Sequence, residues 1–131
     1  MNIKLNKILA EISAGELIDK ITILEIKKEK IKNKEKLSDI EKELKSLNAT
    51  SANKIPNKNE IKDLIDNLKR INLRLWDIEE NKRLAEKNKI FDERFIELSR
   101  EVYKTNDERA KIKLKINEIL GSNIKEVKSH Y

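Results

Sequence analysis

Ile61-Lys-Asp-Leu64-Ile65-Asp-Asn-Leu68-Lys-Arg-Ile71-Asn-Leu-Arg-Leu75-Trp-Asp-Ile78 decides the fold. Its apolar residues recur three and four apart, which is the period of a helix with one buried stripe. A second run follows the polar break from Lys87 to Asp92. Phe95, Leu98, Val102, Ile112, Ile116, Ile119 and Leu120 carry the same period. Asp92 is placed to cap its start and Gly121 to end it. Each run is ~30 residues, so each helix is ~45 Å long at 1.5 Å per residue. A short break between two such helices makes an antiparallel hairpin with a coiled-coil-like seam.

The seam is not uniformly apolar. Asn72, Glu79 and Arg83 on the first run fall in or beside the stripe, as do Asn106, Arg109 and Lys113 on the second. A buried polar group left unpaired costs about 1–3 kcal/mol, so such a cluster is either a satisfied structural network or the lining of a site. With the turn near Lys89, Asn72 lies level with Asn106 to Arg109, and Glu79 with Arg100 to Tyr103. Trp76, the only tryptophan, sits next to the seam, as core packing or as a stacking wall for a ring. Glu79 and Arg83 are four apart, the spacing of an ordinary intrahelical ion pair. The expected ligand-binding set is Asn72, Trp76, Glu79, Arg83, Asn106, Arg109 and Lys113. Glu79, Glu80 and Asp107 are the candidates for a metal such as Mg²⁺, because hard cations take oxygen ligands.

Working outward, Ser13 and Glu16 have the spacing of a capping box. They open a helix expected from Ala14 to Ile31, with Leu17, Ile18, Ile21 and Leu24 on one arc. Glu25 and Lys28 lie inside that arc. Ile23 and Ile26 lie off it, beside Asp19, so this helix is apolar on two faces. Lys27 to Lys36 reads as a solvated turn, and a second helix is expected from Glu35 to Leu47. Asn48 to Asn59, with Pro56, reads as a polar loop. Met1 to Ile12 alternates weakly, as a short strand or extended arm, and Ser122 to Tyr131 is a tail able to pair with it. The expected architecture is all-α: a long antiparallel helix hairpin with an N-terminal helix packed along it and short extended termini. It forms one domain over residues 1–131.

Composition narrows the function. Charged residues make up 41% of the chain and aromatics 4%, with two glycines and one proline, a profile that suits extended helices. The absence of cysteine excludes disulfides and thiolate zinc sites. No window approaches the ~20 apolar residues of a membrane span, and no signal-like segment opens the chain, so a cytoplasmic protein is expected. The net charge of +6 invites nucleic acid, but only six of the 30 basic residues are arginine, and the 24 acids are interspersed among them. Arginine is the residue that reads phosphates and base edges in forks, so nucleic acid is not the expected partner. The glycines stand alone at Gly15 and Gly121, so there is no glycine-rich phosphate loop. No serine or cysteine triad can be assembled around the lone His130, which lies in the tail.

Several segments carry a resemblance. They are Gly15-Glu-Leu-Ile-Asp-Lys-Ile-Thr-Ile-Leu-Glu-Ile-Lys27, Asn72-x-x-Leu-Trp76-x-x-Glu79-Glu80-x-x-Arg83, Phe95-Ile-Glu-Leu-Ser99, Tyr103-x-x-Asn106-Asp107-x-Arg109 and Lys113-x-x-x-Asn117. With Gly121-Ser122 and Glu126-Val-Lys-Ser129, they make the chain similar to a family of small bacterial helical domains of unknown function. The likeness runs from Ser13 to Tyr131 and departs at Asn48 to Asn59. The Leu-Trp-x-x-Glu pattern is also loosely similar to a second uncharacterised helical family. The resemblance implies an all-α fold and transfers no activity.

Two classes of function follow. In the first, a polar pocket between helices binds a small anionic ligand, such as a phosphorylated or sugar-nucleotide compound. Arg83, Arg109 and Lys113 neutralise it, Asn72 and Asn106 orient it, and Glu79 and Asp107 hold metal or act as base. In the second, the polar cluster fixes helix register in an assembly module, and the extra face of Ile23 and Ile26 forms a homodimer interface.

Overall fold

The computed structural model describes residues 4–128. It contains four α-helices: α1 (Ala14–Lys30), α2 (Lys34–Lys54), α3 (Lys62–Lys87) and α4 (Glu93–Leu120), with a 3₁₀ turn at Asn59–Ile61 leading into α3. There is no strand among the described residues. The fold is the expected all-α hairpin of α3 and α4. Helix α1 packs against each of the other three, whereas α2 approaches only α1. The core lies where α1 meets the open end of the hairpin. Leu17, Ile18, Ile21 and Leu24 pack there with Leu68 and Ile116, and Ile40 and Leu44 of α2 close the far side.

The hairpin register agrees with the sequence. Arg74 reaches Glu108 across the seam at 3.7 Å, which sets Trp76 near Asn106 and Glu79 near Val102. The Asp92 side chain caps α4 by accepting from the Phe95 N–H at 3.2 Å. Gly121 ends α4 with φ +62°, the left-handed conformation that favours glycine.

Three local expectations are corrected. Helix α2 runs on through Lys54, so the first part of the expected loop is helical. Ala49 and Ala52 are strong helix formers, and Ser51 is buried on the inner face. The helix stops because the residue before a proline is pushed out of the α region, and Ile55, ahead of Pro56, is non-helical at φ −128°, ψ 69°. Residues 4–12 form no strand. The tail meets the start of α1 through side chains rather than by strand pairing: the Ser13 hydroxyl donates to Glu126 at 3.0 Å, and the Ala14 N–H donates to the Ser122 hydroxyl at 3.1 Å. Expectations for Met1, His130 and Tyr131 lie outside the described residues.

Candidate functional site

The first turn of α1 shows how α1 is held on the hairpin. A helix start leaves its first N–H groups without intrahelical partners, and those of Ala14, Gly15 and Glu16 are satisfied here from outside the ladder, before Leu17 makes the first helical bond. Ala14 donates to Ser122 and Gly15 to the Asn117 side chain at 2.6 Å. Glu16 donates to the Ser13 hydroxyl at 3.1 Å and Leu17 to the Ser13 carbonyl at 3.1 Å. Only half of the expected capping box forms, because the Glu16 carboxylate turns instead to Lys113. Gly15 allows the close approach. A Cβ there would stand 2.5 Å from the Lys113 carbonyl oxygen and 2.9 Å from Asn117 Oδ1.

One turn further along α1 is Asp19, fully buried. Arg109 Nε donates to both of its oxygens, at 3.0 and 3.1 Å, and Arg109 Nη2 donates to Oδ2. Asn72 Nδ2 donates to Asp19 Oδ1 at 2.9 Å and to the Thr22 hydroxyl at 2.8 Å. The Thr22 hydroxyl in turn donates to the Asp19 carbonyl. Beside this set, buried Lys113 is held by Glu16 at 2.6 Å and Glu126 at 2.7 Å, with Asp19 at 3.6 Å. Burial alone would lower the Lys113 pKa, but its hydrogen bonds to Glu126 and Glu16 outweigh that and raise it. Burial likewise pushes Glu16 up, and the bond and charge of Lys113 reverse the shift to a net lowering. The Asp19 bond raises Arg109 against its own desolvation. These are charge-assisted pairs, stronger than neutral ones, and they join α1, α3, α4 and the tail of one chain.

A groove of about 590 Å³ opens beside this network. Its apolar part is Ile23, Ile26, Leu75 and Val102, with half-buried Trp76 as a wall; its polar lining is Asn72, Glu79, Glu80, Arg83, Asn106 and Arg109. Six of the seven expected ligand residues therefore meet around one cavity, in the range of small-molecule sites. The tryptophan belongs to the wall rather than to the core. The ordinary Glu79–Arg83 ion pair does not form, and both side chains are exposed.

Lys113 is the exception. It lies outside the groove, locked between two glutamates, and its charge is not available to a ligand there. Arg109 reaches the groove with its charge already matched by Asp19, leaving Nη1 toward Asn106 Oδ1 at 3.4 Å. Asp107 is not brought to Glu79 and Glu80. It pairs with Lys128 and lines a different cavity with Lys113 and Val127. Among the described residues no group of three His, Cys, Asp or Glu side chains is placed to hold a metal ion. The second apolar face of α1 lies beside the groove: Ile26 is only 2% exposed, Ile23 is half-buried, and both border the cavity.

Sequence reasoning missed Asp19, Thr22, Glu16 and Glu126 as partners of the seam residues. A signal for the first was present: Asp19 stands between Ile18 and Ile21 on an apolar helix, three residues from both Glu16 and Thr22. An acid in such a place needs a cation opposite it. Glu126 carried no comparable signal, since its role depends on the path of the tail.

The fold and groove define a small helical domain in which an N-terminal helix is locked onto a long hairpin by buried ion pairs. The chain belongs to DUF6165, a family of unknown function whose model matches residues 8–131. Neither the curated proteins nor the solved structures yield a match. No helix is long and apolar enough to cross a membrane among the described residues.

Proposed function

We propose that this protein is a binding module whose groove takes a small molecule with an apolar or aromatic body and a single anionic group. The observation that carries the reading is the convergence of Asn72, Trp76, Glu79, Arg83, Asn106 and Arg109 on one apolar-floored cavity. The ligand body would lie on Ile23, Ile26, Leu75 and Val102, with a ring against Trp76. The Asn106 amide would orient it, and Arg83 would take the anionic group.

The charges narrow the ligand class. Arg109 is neutralised by Asp19 and Lys113 by its two glutamates, so Arg83 is the groove cation with no ion-pair partner among the described residues. Glu79 and Glu80 stand on the same rim. One cation beside two acids suits a carboxylate, sulfonate or single phosphate better than a diphosphate. The register-fixing reading finds separate support in a changed form: the Asp19 network sets α1 on the hairpin within one chain.

A naphthalene sulfonate such as 8-anilinonaphthalene-1-sulfonate has the required shape and charge, and Trp76 can transfer excitation to it. Saturable energy transfer from Trp76 is expected, with affinity falling about tenfold or more in Arg83→Met, since a hydrogen bond to a charged group is worth about 1.5–3 kcal/mol. The melting temperature of that variant should not fall, because Arg83 is exposed. Binding that is unsaturable, or unchanged by Arg83→Met, would overturn the reading.

A further inference from the structure

One buried side chain of the Asp19 network keeps an unused polar atom, and that atom opens to the groove. Asn72 is 5% exposed. Its Nδ2 uses both hydrogens, on Asp19 Oδ1 at 2.9 Å and on the Thr22 hydroxyl at 2.8 Å. The amide cannot be turned round, because a carboxylate only accepts. Asn72 Oδ1 is thereby left without a donor among the described residues. The buried side-chain atom among them that is both sealed and unpartnered is Asn117 Nδ2, so Asn72 Oδ1 is not sealed, and Asn72 lines the groove. On the α4 side of the same lining are donors. Asn106 turns its Oδ1 to Arg109 Nη1 at 3.4 Å, which leaves the Asn106 Nδ2 hydrogens and one hydrogen of Arg109 Nη1 free. Asp19 matches the Arg109 charge, so this end of the groove is neutral. It offers one acceptor and two donor groups.

We infer that the groove takes a pyrimidine nucleoside monophosphate, with the edge of the base at Asn72, Asn106 and Arg109. The inference rests on the reading of the groove as a site for a body with a single anionic group, and it names that body. A buried acceptor without a partner calls for a donor from the ligand, so a carboxylate or an ether does not suit this end. Uracil and cytosine each present one donor group and two acceptors along the pairing edge, the complement of one acceptor and two donors. Guanine presents the reverse count, two donors and one acceptor. Adenine presents one of each and leaves a donor of the site idle.

The rest of the α3 stripe follows the order of a nucleotide. Asn72, Trp76, Glu79, Glu80 and Arg83 line the groove at helical spacing. In that order they meet a base edge, a ring face, sugar hydroxyls and a phosphate. Half-buried Trp76 gives the stacking face. Glu79, Glu80 and Arg83 have no ion-pair partner among the described residues. The two carboxylates can therefore accept from sugar hydroxyls, as an acid does from a ribose in dinucleotide sites. Arg83 supplies a guanidinium fork for the phosphate. Asn72 and Arg83 are about 17 Å apart along the helix at 1.5 Å per residue. A long helical side chain leans back toward the N-terminus, which brings the guanidinium toward a phosphate whose base lies on Trp76.

Isothermal titration calorimetry of the full chain with uridine and cytidine monophosphates tests the inference, with Trp76 fluorescence as a second readout. Saturable binding of at least one of them is expected, with quenching of Trp76 by the stacked base. Blocking the donor of that nucleotide, by methylating the ring nitrogen of uracil or dimethylating the amino group of cytosine, should weaken it about tenfold or more, because Asn72 Oδ1 is then buried unpaired. Guanosine monophosphate should bind weaker by a similar factor. The comparison is made on the unaltered protein, since Asn72 itself holds Asp19 and its removal would disturb the fold. The inference is overturned if neither pyrimidine nucleotide binds, if binding leaves Trp76 unquenched, if donor methylation has no effect, or if guanosine monophosphate binds as tightly. The naphthalene sulfonate has the ring and the anionic group but no such base edge. If it binds in an Arg83-dependent way while both pyrimidine nucleotides fail, the base-edge inference falls and the groove reading stands; if none of the three binds, both fall.

Discussion

Gly15→Ala sets two physical effects against each other, and the structure decides the sign. Alanine is favoured over glycine in a helix by about 1 kcal/mol, so α1 considered alone predicts a stabler protein. Against this, the new Cβ would stand 2.5 Å from the Lys113 carbonyl oxygen. That atom is backbone and cannot swing aside, so α1 and α4 must separate. Overpacking of this kind costs about 1–3 kcal/mol. Separation also stretches the 2.6 Å bond from the Gly15 N–H to Asn117, and an unpaired buried group costs about 1–3 kcal/mol more. Asn117 has no reserve, since its Nδ2 is already buried without a partner. The net effect is a loss of roughly 2 kcal/mol after the propensity gain. For a chain of this size that corresponds to a fall of about 8 °C in melting temperature. Thermal denaturation followed by circular dichroism measures it. Trimming Asn117 to alanine as well should not rescue the variant, because the closest clash is with backbone. A Gly15→Ala protein as stable as the parent would refute the claim that α1 sits this close to α4.

Two further outcomes follow from the buried pairs. Asp19→Ala strands the Arg109 guanidinium and the Asn72 amide. Removing one partner of a buried pair costs about 3–5 kcal/mol, and the lower end is expected because Arg109 keeps 28% of its side chain exposed; urea denaturation measures the loss. For pH, Glu16 is lowered below its ordinary 4.5. Its contribution is present above that value and is lost as pH falls through the lowered one. Lys113 is raised above 10.5, so its contribution holds below that value and is lost only as pH rises through the higher one. Stability should be level in these two groups between about pH 5 and 10, and Glu16→Gln should flatten the acid limb of a melting-temperature profile.

The hairpin, its register and its caps were legible in the sequence because they are local. The 3.6-residue period of Ile61 to Ile78, the Asp92 cap and the Gly121 stop each depend on neighbours within a few positions. The polar seam residues were legible for the same reason, since each interrupts a stripe. The end of α2 was misread because Asn48, Thr50, Ser51 and Asn53 read as loop residues and mask Ala49 and Ala52 between them, and burial of Ser51 favours the helix there.

What the stripe could not reveal was which polar residues would be matched and which left open. Lys113 and Arg83 look alike along the chain: both are cations in or beside the seam. Their fates differ because α1, held close by Gly15, brings Glu16 and Asp19 to one end of the hairpin and not to the other. The tail adds Glu126 at that same end. There the desolvated charges find counter-charges and become structure. The later acids of α1, Glu25 and Glu29, turn to Lys69 and not toward Arg83, and beside Trp76 and Val102 the same seam opens into a groove. The sequence by itself determined the helices and the placing of polar groups along them. The approach of α1, across 90 residues of chain from Asp19 to its partner Arg109 and 102 from Gly15 to its partner Asn117, decided which of those groups are buried partners and which face the open groove.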